Sequence, residues 1–267
     1  MQLVTLTTDW GRSDHYVGAV KAKLYSTITN CQVIDITHDI KKYDLMEGAF
    51  IVRNACLNFP KNTIHIIDVD CTESKRKKHQ HAVIKYNDQY FICTDNGMPS
   101  IIFEGLSPII AIGITESYQE SSYYTFSVFD LYCKVAALIS YETNIEDLGY
   151  VIPELVKKNV LNPIIYADSI LCTVFHIDGY GNVFLNILVD EFIKRLGDRI
   201  FILEIDNNII STISKSYDEV KINDALLTVS SSGHLELAIN KSNASELFGL
   251  KIGTPLTITF KDKESQK

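Results

Sequence analysis

Short apolar runs of extended character recur through the first half of the chain: LVTLTT, QVIDIT, TIHIIDVD, HAVIKYN, QYFICT and IIAIGI. Between them lie longer segments of helical period, such as the one in which Val17, Val20, Leu24 and Ile28 recur at three- and four-residue spacing. Strands interleaved with helices predict a layered α/β domain over residues 1–152. From Ile164 the texture changes. ILCTVFHI, NVFLNI, RIFILEI, IISTIS, ALLTVSS, HLELAI and PLTITF follow one another with turn residues between and little helical period. That pattern predicts a small all-β domain, a barrel or a sandwich, over residues 164–267. The segment IPELVKKNVLNP, bounded by Pro153 and Pro163, reads as a linker over residues 153–163.

Composition narrows the class. Of 267 residues, 46% are hydrophobic and 22% charged, which is ordinary for a globular chain. No apolar run approaches the roughly 20 residues a membrane helix needs, and the first residues lack a signal-peptide pattern, so a soluble, cytoplasmic protein with no membrane partner is expected. Cys31, Cys56, Cys71, Cys93, Cys133 and Cys172 form no C-x-x-C pair, and reduced, buried thiols are expected. A formal charge of -8 repels phosphate backbones and argues against nucleic acid; the local run Lys75, Arg76, Lys77, Lys78 reads as a solvated loop.

Candidate chemistry gathers in two acidic stretches. In TTDWGRSDHYVGAVK, Asp9 falls just past the first strand, where open α/β sheets collect ligand-binding groups, and a carboxylate there can accept both hydroxyls of a ribose. Asp14 precedes the helical run and is expected to cap it. Neither G-x-G-x-x-G nor a P-loop occurs, so a bound nucleoside would lack a polyphosphate. In HIIDVD, strand alternation puts Asp68 and Asp70 on one face and His65 on the other, which disfavours a metal triad. Ser127, His38 and Asp130 are present, but no G-x-S-x-G elbow supports a serine hydrolase.

Taken in order, TTDWGRSDHYVGAVK, VIDITHDIKKYDLMEGAFIV, FPKNTIHIIDVD, TDNGMPSII, TFSVFDLYCKVAALI, HIDGYGNVFLNI and SSGHLELAINKSNASELFGLKIGTPLTI resemble the blocks of the S-adenosylmethionine hydroxide adenosyltransferase family, relatives of the fluorinase and chlorinase. The resemblance implies a Rossmann-like N-terminal α/β domain and a C-terminal β-barrel-like domain. It also implies a homotrimer with sites between subunits, and cleavage of S-adenosylmethionine by water, or by halide in the halogenases, at the ribose C5′. No metal or other cofactor is implied. Matched position by position, Asp9 would hold the ribose diol and Asp178 the methionine ammonium. Tyr180 would lie beside the adenine, Asn182 would read its edge, Ser231 would meet the methionine carboxylate and Ala244 would line the base. Asp14 and Asn96, within the matching blocks, join the expected substrate-binding residues.

The departures fall at the reacting centre. Family hydrolases carry Asp and Arg in V-D-P-G-V-G-x-x-R and His in T-F-H-G-R-D. Here Asp70 keeps its place, but the loop reads VDCTESKRKK, so Lys77 holds the arginine's position and Arg76 sits one residue early. Lysine lacks arginine's planar fork. Ser127 replaces the histidine and can hydrogen-bond a water but not act as a base near neutral pH. Where the halogenases have a serine this chain has Val128, and where they have a tyrosine it has Asp70, whose charge repels halide. The expected catalytic set is Asp70, Arg76, Lys77 and Ser127 with water as nucleophile. The alternative is a binding protein that keeps the nucleoside site and has lost the chemistry.

Overall fold

A computed structural model describes residues 1–71, 79–115 and 125–263. Arg76 and Lys77 lie outside the described residues. The chain divides into two compact units, Met1–Asn159 and Val160–Lys267.

In the first unit, β1 (Gln2–Thr8), α1 (Tyr16–Thr27), β2 (Cys31–Thr37), α2 (Leu45–Ala55) and β3 (Ile64–Asp68) are followed by β4 (His81–Tyr86), β5 (Gln89–Thr94), α3 (Met98–Ile102), β6 (Ile110–Ile114), α4 (Cys133–Ser140) and β7 (Gly149–Val151). The strands form one sheet in the order β2-β1-β3-β5-β4-β6-β7, parallel from β2 to β5 and antiparallel beyond. Both faces are covered, which is why these strands read as nearly continuous apolar runs. On one face Val20 and Leu24 of α1 and Val135 and Ala136 of α4 pack over Val4, Leu6, Ile64 and Ile66. On the other, Ala49 and Val52 of α2 and Met98 and Ile102 of α3 pack over Ile67, Ala82, Ile84 and Phe91.

The chain runs from β1 outward to β2, then crosses back to place β3 on the other side of β1. Such a reversal opens a crevice at the carboxyl ends of the two strands, where ligands bind in open α/β sheets. Thr8 pairs with Asp68 in the parallel ladder, so the loops that leave β1 and β3 start side by side.

The second unit holds β8 (Ile164–Ile165), β9 (Ser169–Ile177), β10 (Val183–Leu188), α5 (Val189–Leu196), β11 (Ile200–Ile205), β12 (Asn208–Ile210), β13 (Ala225–Val229), β14 (His234–Ile239), α6 (Ala244–Leu247) and β15 (Pro255–Lys261). Its antiparallel sheet runs β12-β11-β15-β9-β10-β14-β13. A bridge from Ile213 to Leu227 brings the two ends together, so the sheet is nearly closed and barrel-like. Its interior is filled by Cys172, Val174, Leu185, Phe192, Leu203, Leu237 and Ile258.

Two local expectations are corrected. His15, not Asp14, occupies the N-cap position of α1, and it makes no side-chain capping bond. The Asp14 carboxylate accepts instead from the His15 backbone N–H and ring Nδ1, both at 2.8 Å, on an exposed surface. β3 ends at Asp68, and Asp70 lies beyond it at φ +48, so the alternation that put Asp68 and Asp70 on one face does not carry through. No described helix is long and apolar enough to cross a membrane. All six cysteines are unpaired, with Cys56, Cys93, Cys133 and Cys172 buried and Cys31 and Cys71 half-buried.

Candidate active site

Asp9 is the first residue past β1 and is only 8% exposed. Its Oδ2 accepts the Tyr43 backbone N–H at 2.9 Å, and its carbonyl accepts from Lys42 Nζ. Its own N–H donates to the Asp68 carbonyl at 3.3 Å. A buried carboxylate fixed at one oxygen by a backbone donor retains acceptor capacity for a diol. Lys42 and Tyr43 went unnoticed in the sequence, although both stand in the block VIDITHDIKKYDL.

Trp10 ties the loops together. Its indole Nε1 donates to Asp68 Oδ2 at 2.6 Å, and its ring packs edge-on against Phe126, with centroids 5.3 Å apart, beside Tyr16 and His38. Trp10, itself next to Asp9, thus touches Asp68, two residues before Asp70, and Phe126, the residue before Ser127. Burial pushes the Asp68 carboxyl up to about 6, and the Asp9 charge pushes it the same way, against the hydrogen bonds from Cys71 and Trp10. The signal for Trp10 was its place: the one tryptophan of the chain, next to Asp9.

Asp70 sits in the left-handed region, which costs an ordinary residue roughly 1–2 kcal/mol. Asn96, just past β5 and buried, donates from Nδ2 to the carbonyls of Val69 and Asp70, both at 3.0 Å, while its Oδ1 accepts the Met98 N–H at 3.1 Å. Both amide hydrogens of this expected substrate-binding residue are thus spent on the turn. Ser127 stands at the start of a π-helical turn, Val128–Tyr132, a rare element frequent at functional sites. Tyr132 anchors that turn: its phenol lies 2.9 Å from Thr94 Oγ1 and 2.8 Å from His81 Nδ1. The two ring nitrogens of His38 face Thr8 Oγ1 at 2.8 Å and Asp35 Oδ1 at 3.2 Å rather than the Ser127 hydroxyl.

The second unit has its own cluster. Asp178 closes the turn between β9 and β10: its Oδ1 accepts the N–H groups of Tyr180 and Asn182 at 2.9 Å, and its Oδ2 accepts Asn182 Nδ2 at 3.2 Å. Tyr180 projects into solvent, whereas Asn182 is buried. Ala244 opens α6, and the Ser245 N–H donates to the Gly181 carbonyl at 2.9 Å, which brings Ala244 to the Asp178 turn. Ser231 is exposed in the hairpin loop between β13 and β14. Glu236 of β14, missed in the sequence, is buried and accepts from Tyr217 Oη at 2.7 Å. Burial raises its carboxyl above the ordinary value, and the Asp178 charge adds to the rise. An acid within the apolar run HLELAI was the available signal.

The model of the SAM hydroxide adenosyltransferase N-terminal domain matches residues 4–149, and that of the C-terminal domain matches residues 172–257. The chain is 32% identical over 262 residues to the (R)-S-adenosyl-L-methionine hydrolase of Methanocaldococcus jannaschii, covering 94% of this chain and 93% of that protein. It is 23% identical over 271 residues to the hydrolase of the same name from Thermus thermophilus, covering 97% and 100%. The crystal structure of an uncharacterized conserved protein from Thermotoga maritima matches with a TM-score of 0.82 at 27% identity, over 97% of this chain and 100% of that one.

Proposed function

The chain belongs to the SAM hydroxide adenosyltransferase family, and from that premise we propose that it hydrolyses S-adenosylmethionine to adenosine and methionine. The observation that carries the reading is the pairing of Thr8 with Asp68, which starts the Asp9 and Asp70 loops side by side at the sheet's reversal point. In this reading Asp9 holds the ribose diol and so fixes C5′, while Asp70 orients a water behind it, helped by Arg76 or Lys77 and by the Ser127 hydroxyl. The water oxygen bonds to C5′, the C5′–S bond breaks with its electron pair going to sulfur, and the water's proton leaves to a carboxylate or to solvent. A sulfonium is a good leaving group already, so aiming and desolvating the nucleophile suffices and no cofactor enters.

Asp178 holds the methionine ammonium, Ser231 meets its carboxylate, and Tyr180, Asn182 and Ala244 receive the adenine. The protein acts in the cytoplasm as a homotrimer whose sites lie between subunits. A solution mass of about three times the 30.1 kDa chain supports that assembly, and a monomer mass excludes it.

The test is incubation with S-adenosylmethionine, with and without chloride, and chromatography of the nucleosides against a no-protein control. Adenosine formed independently of chloride, and lost on Asp70→Ala, supports the reading. Ser127 in place of the histidine favours a second reading, a binding protein without chemistry. An intact substrate that still raises Tm selects it.

A further inference from the structure

The turn that bears Asp70 is held from outside by Asn96, while the Cys71 thiol within the turn lies 3.6 Å from the Val69 carbonyl. Asn96 reaches it from the loop after β5, the strand next to β3, and donates to two successive carbonyls, those of Val69 and Asp70. The amide is itself locked, because its Oδ1 accepts the N–H of Met98 two residues on, and its loop is tied down where the neighbouring Asp95 carboxylate accepts the Val156 N–H at 3.0 Å. Asn96 is only 4% exposed. Aspartate would set an oxygen against two carbonyl oxygens, and serine is too short to span both. Asp70 adopts φ +48, and the stretch that contains it reads VDCTES, with no glycine to take up the left-handed conformation.

We infer that Asn96 is the positioning residue for Asp70, acting on turnover through the carbonyls of the Val69–Asp70 turn rather than by contact with substrate. The inference rests on the hydrolase reading above for its effect on rate. Its structural half stands apart from that reading.

The experiment is a double-mutant cycle on the full-length protein, with Asn96→Ala, Asp70→Asn and the pair together, read as kcat and KM for adenosine release. Asn96→Ala is expected to lower kcat roughly tenfold to a hundredfold with KM within about twofold, because a misplaced aligning group harms the reacting geometry more than binding. The double variant is expected to be no slower than Asp70→Asn alone. A raised KM at unchanged kcat, or losses that multiply, overturns the inference. Asn96→Ser, whose hydroxyl cannot reach both carbonyls, replaces the alanine variant should that one not fold. A crystal structure of the folded variant gives the second readout: Asp70 is expected to leave its positive φ, and an unmoved Asp70 overturns the inference whether or not the enzyme turns over. A wild-type protein that releases no adenosine counts against the hydrolase reading, while this φ still decides whether Asn96 holds Asp70.

Discussion

The indole Nε1 of Trp10 lies 2.6 Å from Asp68 Oδ2. This bond joins the residue after Asp9 to the residue two before Asp70, across adjacent parallel strands. Charge-assisted bonds of this kind are short and strong, and here burial pushes the acceptor carboxyl up to about 6. Because Trp10 is the only tryptophan, its fluorescence is expected to follow the Asp68 proton, with an inflection near pH 6. Asp68→Asn is expected to abolish that inflection. An unchanged titration in the variant assigns it to another group and refutes the link.

The same carboxyl makes a statement about stability. Its folded value of about 6 lies above its ordinary 3.8, so between those pH values the folded state holds a proton that the unfolded state has lost. Stability from this group is therefore full below pH 3.8 and falls as pH rises to about 6, by at most about 3 kcal/mol. Asparagine keeps an acceptor for Trp10 and removes the titration. Urea unfolding across pH 4–8 is expected to show wild type losing stability relative to Asp68→Asn as pH rises. A constant difference between the two would contradict the raised carboxyl.

The layered fold was legible because its signals are periodic: buried parallel strands as apolar runs, and α1 as the Val20–Leu24 stripe. The position of Asp9 just past β1 was legible from where the apolar run LVTLTT ends. Asp14 was misread because sequence shows a capping residue type but not the helix's first turn, which starts two residues later. Asp70 was misread because the alternation argument assumes that the strand continues, and a left-handed residue ends it. The bonds that Asn96 makes to two carbonyls 26 and 27 residues upstream are not legible in the sequence, because those carbonyls come near only through the β3–β5 pairing. Trp10 and Glu236 lay in plain view, yet the value of each depends on a neighbour supplied by tertiary structure.

Asp9 offers a direct test of substrate binding. Asparagine can still accept the Tyr43 N–H but carries no charge for a diol, and a charge-assisted bond is worth about 1.5–3 kcal/mol. Asp9→Asn is expected to raise KM for S-adenosylmethionine by roughly tenfold to a hundredfold, with a smaller fall in kcat as C5′ loses its fixed position. A loss confined to kcat would remove Asp9 from the ribose and place it at the reacting centre.

Gly181 tests the second unit. It adopts φ +81, and a Cβ there would stand 2.0 Å from Asn243 Oδ1. That oxygen cannot simply move aside, because it accepts the Glu246 N–H at 2.9 Å and caps α6, the helix that Ala244 opens. The turn and the helix are further joined by the bond from Ser245 N–H to the Gly181 carbonyl. Gly181→Ala must therefore strain the backbone and displace the cap together, and a loss of about 2–4 kcal/mol is expected in urea unfolding followed by far-UV circular dichroism. Gly179, two residues earlier in the same turn, has nothing within 4 Å of its Cβ position, so Gly179→Ala is expected to change stability by no more than about 0.5 kcal/mol. Equal losses in the two variants would show that the turn, and not the contact with Asn243, sets the requirement for glycine.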